Sequence, residues 1–197
     1  MKARELGVVG AYEFTPQVFA DDRGMFVSTF QASAFEAALG RELFPVRQMS
    51  FSLSRRGVVR GVHYTTTPPG CAKLVHCPQG TVLDVVVDLR RGSPTFGRWD
   101  SVVLDREGAR SVFFPVGVGH MFVALADDSV MSYALSEEYV ADNERSISVL
   151  DPELNLPIPS DIEPVLSHRD TVAATLAEAL EAGHLPEYTT CGEQLNA

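Results

Sequence analysis

The sequence predicts a mainly β fold, a sandwich or jelly roll of short strands with helix near its two ends. Three observations carry this. From Gln48 to Tyr139, extended stretches recur at roughly ten-residue spacing, with turn signals at Arg91-Gly92-Ser93-Pro94, Arg106-Glu107-Gly108 and Ala126-Asp127-Asp128-Ser129. Leu83, Val85, Val87 and Leu89 form one wholly apolar face, and Val82, Asp84, Val86 and Asp88 form the other, which is the period of a strand. Helical periodicity is confined to the flanks.

In chain order, residues 7–30 read as extended, with Ala20-Asp21-Asp22-Arg23-Gly24 as a turn between two stretches. Ser33-Ala34-Phe35-Glu36 has the form of a capping box and Gly40 follows at a C-cap distance, so residues 34–39 are expected to be a short helix. Within the β region, Asp84 lies mid-strand, where an acid needs a reason, whereas Asp88 lies near a strand end, where solvent suffices. Pro152, Pro157, Pro159 and Pro164 keep residues 151–166 irregular. Ser167-His168-Arg169-Asp170 then opens a helix carrying Val172, Leu176 and Leu180 and ending at Gly183. No repeat or linker divides the chain. Residues 1–197 read as one domain, with a core of about 8–185 and a tail, 187–197, expected to be a surface appendage.

The totals narrow the function. The chain has 197 residues, 45% of them apolar and 21% charged, and a net charge of −10, which argues against nucleic acid as a partner. An anionic small ligand stays open, because a basic pocket can sit in an acidic whole. No run of 18 apolar residues marks a membrane span, and the start lacks the apolar core of a signal peptide. Cys71, Cys77 and Cys191 match no disulfide or zinc spacing and read as reduced thiols in a cytoplasm.

Two stretches hold polar residues that a β scaffold does not need as filler. In Gly57-Val58-Val59-Arg60-Gly61-Val62-His63-Tyr64, an ideal strand sends Arg60 and His63 to opposite faces, whereas a bulge at Gly61 brings them to one side. Pro115-Val116-Gly117-Val118-Gly119-His120 resembles the second motif of the cupin superfamily of small jelly-roll barrels. The metal-binding cupins also carry a His-x-His and a later Glu. Here the matching region reads His63-Tyr64-Thr65, no Glu occurs between His63 and Glu107, and His76 is as readily a surface strand residue. The ligand set is incomplete, so no metal or other cofactor is expected.

A longer resemblance covers residues 8–185. Asp22-Arg23-Gly24-Met25-Phe26, the strand at 57–64, Ala72-Lys73-Leu74-Val75, the run from Asp84 to Arg90 and Gly92-Ser93-Pro94-Thr95-Phe96-Gly97 occur in the order found in the dTDP-4-dehydrorhamnose 3,5-epimerase family. So do the Pro115–His120 motif, Tyr133, Tyr139, Glu144-Arg145, Asp151-Pro152 and Leu166-Ser167-His168-Arg169-Asp170. The resemblance implies a cupin-type jelly-roll barrel in a homodimer that exchanges an N-terminal strand. It also implies inversion at carbons flanking the 4-keto group of a dTDP-4-keto-6-deoxyhexose.

The residue types fit that chemistry. Removing a proton α to a ketone wants a base near neutrality, and His63 is the candidate. The resemblance makes Asp170 its partner, although Ser167 and Asp170 would also serve as a helix cap. Lys73 suits the developing oxyanion, and Asp84 is expected to pair with it. Inversion needs an acid on the opposite face, a position the resemblance gives to Tyr133. Arg60, Arg23 and Arg169 are candidate diphosphate ligands, and His120 is a candidate wall of the hexose pocket. By resemblance, Arg23 and Phe26 reach a neighbouring subunit's nucleotide and Tyr139 stacks on the thymine. Gln48, Phe19 and Asp84 complete the expected binding set.

Three positions depart from the family pattern. Ser28 stands where Glu is usual, Ser50 where Asn is, and Thr65 where Gln is. The set His63, Lys73, Tyr133 and Asp170 is intact, so an active enzyme is expected, leaning towards the single-centre variants of antibiotic-sugar pathways. The rival readings are a non-catalytic sugar-nucleotide-binding cupin, a metal-dependent cupin oxygenase and a sugar-nucleotide ketoisomerase.

Overall fold

A computed structural model describes residues 1–194. Its strands are β1 (Lys2–Glu5), β2 (Tyr12–Thr15), β3 (Val18–Asp21), β4 (Gly24–Val27), β5 (Gln48–Ser54), β6 (Val59–Thr65) and β7 (Lys73–Gln79). They continue with β8 (Thr81–Asp88), β9 (Trp99–Asp105), β10 (Ser111–Phe114), β11 (Val118–Ala124), β12 (Ser129–Leu135) and β13 (Glu144–Ser146). The helices are α1 (Ala32–Leu39), α2 (His168–Thr171), α3 (Leu176–Glu181) and α4 (Tyr188–Gln194).

Two antiparallel sheets form the body, one in the order β1-β2-β10-β7-β12-β5 and the other in the order β13-β6-β11-β8-β9. This is the expected mainly β jelly roll. The ladders of these strands stay within the two sheets, and β3 and β4 form a separate two-stranded sheet. Between the layers lies an apolar cluster that includes Val75, Val82, Val86, Phe114, Phe122 and Met131. The outer face of the five-stranded sheet, including Val85, Val87 and Met121, is covered by Ile147, Leu154, Leu156, Ile162, Leu176 and Leu185. The proline-rich segment is therefore irregular, as expected, and it packs as the lid of a second core.

Four local expectations are corrected. Helix α1 ends at Gly40 in the left-handed conformation (φ 70°), but its N-cap is Gln31, which makes no side-chain capping bond, and Ser33 lies inside the first turn. The helix expected from 167 to 183 is two short ones. Thr175 and Glu178 form a full capping box that starts α3 afresh, and Val172 between them is 66% exposed. The tail is no appendage: α4 buries Cys191, and the Tyr188 N–H donates to the Arg91 carbonyl. Residues 195–197 of that tail lie outside the described residues.

Asp88 is the fourth correction. It is fully buried and accepts from Nε and a terminal nitrogen of Arg90, both at 2.8 Å, and from the Ser93 and Thr95 hydroxyls at 2.6 and 2.5 Å. Burial opposes ionisation, but these donors outweigh it and hold the Asp88 pKa below its ordinary value. Asp88→Ala strands a buried guanidinium, so a loss of about 3–5 kcal/mol in unfolding free energy is expected in urea denaturation.

Candidate functional site

β5 has its polarity inverted. Gln48, Ser50 and Ser52 face a cavity between the sheets, while Met49, Phe51 and Leu53 on the other side are 75%, 77% and 56% exposed. The cavity measures about 370 Å³ and is lined from the five-stranded sheet by Arg60, His63, Thr65, His120 and Phe122. From the six-stranded sheet it receives Lys73, Tyr133 and Leu135, and its mouth is edged by Glu137, Glu138, Tyr139, Glu144 and Arg169.

Arg60 and His63 share this cavity because the register slips between them. His120 opposes His63 and Phe122 opposes Arg60, so three steps on β6 match two on β11. Gly61 sits in the slip at φ 127°, and a Cβ there would stand 2.4 Å from the His120 carbonyl oxygen. No side chain fits that approach, which is the bulge the sequence allowed.

His63 Nε2 lies 2.7 Å from Asp170 Oδ1. Asp170 belongs to α2, and its other oxygen accepts from the Ser167 hydroxyl at 2.9 Å, while its N–H donates to that hydroxyl at 3.2 Å. The carboxylate thus serves the helix start and the imidazole together. Burial works against its ionisation, but the hydrogen bond and charge of His63 outweigh it, with help from Ser167, and its pKa falls. At His63 burial is the largest influence and lowers the pKa. Asp170 opposes this, while the charges of Arg169 and Lys73 add to it, and the net shift is below 6.5. The lowered pKa favours the neutral ring, and in the tautomer that donates its Nε2 proton to an ionised Asp170 the lone pair sits on Nδ1, which has no partner among the described residues.

Across the cavity, the Tyr133 hydroxyl lies 3.2 Å from the Ser52 hydroxyl. Burial raises its pKa to about 12; the Asp84 charge adds to this, and Ser52 and Arg60 oppose it. Lys73 is 9% exposed. It has no carboxylate or hydrogen-bond partner among the described residues. Its side chain lines the cavity, so its charge faces the space between the sheets.

The other expected residues divide. Gln48 lines the cavity, donating to Ser50 at 2.9 Å and accepting from the Tyr139 N–H at 2.9 Å. Arg60 donates to the Ser54 hydroxyl and the Leu53 carbonyl, both at 3.2 Å, and meets no carboxylate among the described residues. Arg169 edges the cavity while donating to Ser146 and the Arg145 carbonyl. Asp84 does not line the cavity and does not pair with Lys73; its partner is His120 Nε2 at 2.6 Å. Phe19, Arg23 and Phe26 lie on the β3–β4 hairpin, outside this cavity, with Arg23 bonded to Asp21. His76 lies on the opposite side of β7, beside Met49 and Leu74, and no cluster of three His, Cys, Asp or Glu side chains suited to a metal occurs among the described residues.

Ser52 and Glu144 were not among the expected site residues. Ser52 was legible in the alternation Gln48-Ser50-Ser52-Ser54, which puts every hydroxyl on one face. Glu144 accepts from the Thr65 hydroxyl at 2.8 Å, a contact between strands far apart in sequence. Of the departures, Ser50 and Thr65 are at the cavity wall, and Ser28 is not.

Comparison with known proteins agrees with this architecture. The family model described as dTDP-4-dehydrorhamnose 3,5-epimerase matches residues 5–178. A Streptomyces niveus protein named dTDP-4-dehydrorhamnose 3-epimerase is 46% identical over 97% of this chain and 91% of its own length. Among solved structures, the Mycobacterium tuberculosis rmlC epimerase superposes with a TM-score of 0.95 at 43% identity, covering 100% of this chain and 98% of the other. ChmJ from Streptomyces bikiniensis, a 3'-monoepimerase solved with dTDP-quinovose, gives 0.91 at 43% identity, covering 98% and 96%. With a family model over most of its length and relatives at 43–46% identity, the chain belongs to the dTDP-4-dehydrorhamnose 3,5-epimerase family and is a carbohydrate epimerase of the isomerase class.

Proposed function

We propose that the enzyme epimerises a dTDP-4-keto-6-deoxyhexose at a single carbon next to the 4-keto group, in the making of a deoxysugar for an antibiotic. The observation that carries the chemistry is one cavity with a neutral, carboxylate-anchored His63 on one sheet and a phenol and an unpaired ammonium on the other. His63 Nδ1 takes the α-proton, and the C–H electron pair becomes the enolate, whose oxygen Lys73 holds. Tyr133 gives its proton to the opposite face of the same carbon. Solvent then takes the proton from His63 and restores that of Tyr133. Arg60 and Arg169 bind the diphosphate, Gln48 and Tyr139 hold the base, and His120 lines the hexose end.

C3 is the preferred carbon. The S. niveus relative and ChmJ both carry names that specify position 3. In this chain the Ser50 hydroxyl is engaged by Gln48 and that of Thr65 by Glu144, so the short side chains at these two positions shape the wall. Incubation with dTDP-4-keto-6-deoxyglucose in D₂O, read by NMR, should put deuterium at C3 alone. Deuterium at both C3 and C5 would replace the single-centre reading, and none at either would end the epimerase reading.

The reading includes a homodimer. β5 is a sheet edge whose outer residues Met49, Phe51 and Leu53 are apolar and exposed, and Phe19 and Phe26 on the hairpin are 55% and 69% exposed. Apolar faces of this kind ask for a covering surface. A second copy that exchanges an N-terminal strand would also bring Arg23 and Phe26 to the partner's nucleotide. Three free, buried thiols fit a reducing cytoplasm, and no helix among the described residues is long and apolar enough to cross a membrane.

A further inference from the structure

The cavity holds a second anchored histidine. His120 and His63 are cross-strand partners on β11 and β6. Each places Nε2 on a buried carboxylate oxygen, at 2.6 Å from Asp84 and 2.7 Å from Asp170. Among the described residues, neither Nδ1 has a protein partner. The two carboxylates differ in what else they do. Asp170 caps a helix through Ser167, whereas the Asp84 carboxylate has no other hydrogen bond among the described residues, and its Oδ2 is buried with no partner.

Asp84 is also misplaced by the standards of its strand. Its neighbours on the same face, Val82 and Val86, belong to the apolar cluster between the sheets, and it is 1% exposed. A carboxylate with one satisfied oxygen destabilises such a site relative to an apolar side chain of similar size. A role in holding the fold together therefore does not explain it. Its one hydrogen-bond partner through the side chain, among the described residues, is His120, whose ring is 4.4 Å from that of Phe114 and 5.9 Å from that of Tyr133. The two aromatic rings set the plane of the imidazole, and Asp84 decides which nitrogen turns inward.

We propose that Asp84 is a positioning residue that acts through His120. By accepting the Nε2 proton it turns the His120 Nδ1 lone pair towards the cavity, where it accepts a hydrogen bond from a hydroxyl of the hexose ring and so presents the reacting C–H to His63. The hexose as ligand rests on the function proposed above. The coupling of Asp84 to His120 does not.

A double-mutant cycle tests it. Asp84→Leu and His120→Phe are each expected to lower kcat by about 10- to 100-fold, the usual cost of removing a supporting partner, with dTDP affinity by calorimetry within about twofold of wild type. Together they should cost no more than His120→Phe alone. Asp84→Asn, which can still accept through its amide oxygen, should recover at least tenfold over Asp84→Leu. In ¹⁵N-histidine-labelled protein, a downfield His120 Nε2–H resonance should be present in the wild type and in Asp84→Asn and absent in Asp84→Leu. Additive losses, wild-type turnover in Asp84→Leu, or an unchanged resonance in that variant would overturn the proposal. Should Asp84→Leu fail to fold, wild-type kcat in His120→Phe would overturn it equally. If the wild type turns over no keto-sugar nucleotide, the functional reading fails, and the resonance still decides whether Asp84 holds His120.

Discussion

His63→Asn is expected to abolish inversion and solvent exchange together, with kcat falling roughly 10²- to 10⁴-fold, the contribution typical of a general base. Asparagine keeps an N–H for Asp170, so the melting temperature should change little and dTDP should still bind. The same residue sets the acid limb of the wild-type rate. Burial lowers the His63 pKa below 6.5 more than Asp170 raises it. The basic form thus persists below pH 6.5, and kcat/KM should fall only as the pH drops through this lowered value. A limb above 6.5 would mean that the free enzyme holds the imidazolium instead. Retained exchange in His63→Asn would remove the base from this residue altogether.

The site was legible where its chemistry needed rare residues on strands. An Arg and a His around Gly61 left a bulge open as the way to bring both to one side, and the slip between β6 and β11 is that bulge. The mainly β class followed from the spacing of short strands and turns and from the alternation of β8, whose apolar face packs under the C-terminal segment. Pairings across long stretches of sequence were not legible. His63 and Asp170 are 107 positions apart, and only the resemblance joined them. Asp84 was recognised as needing a partner and was given the wrong one, because strand periodicity fixes the face a residue takes but not its neighbour on the next strand. Local misreadings came from competing local signals. Thr175-Leu176-Ala177-Glu178 is a stronger helix start than the pattern that ran through it, and it broke the expected helix in two. Arg90, Ser93 and Thr95, all within seven residues of Asp88, could have revealed that this carboxylate is buried.

Tyr133→Phe should separate the two halves of the reaction. Exchange of solvent deuterium at the reactive carbon should stay within a few-fold of wild type, while inversion falls at least about 10²-fold. The reason is positional. His63 and Tyr133 project from different sheets into one cavity, so a proton removed on one side returns with inversion only if a donor stands on the other. Without the phenol, His63 returns a solvent-derived proton to the face it came from, which labels the sugar and leaves its configuration intact. The phenol suits the task because burial raises its pKa to about 12, so it is fully protonated at pH 7 and gives up its proton only to a base as strong as an enolate carbon. The structural cost of the change is small. Ser52 loses a hydrogen bond of 3.2 Å, worth about 0.5–1.5 kcal/mol, and the ring stays to pack against His120. Simultaneous loss of exchange and inversion in a folded Tyr133→Phe protein would show that the phenol acts before the proton leaves, and the donor would then have to be sought elsewhere on the six-stranded sheet.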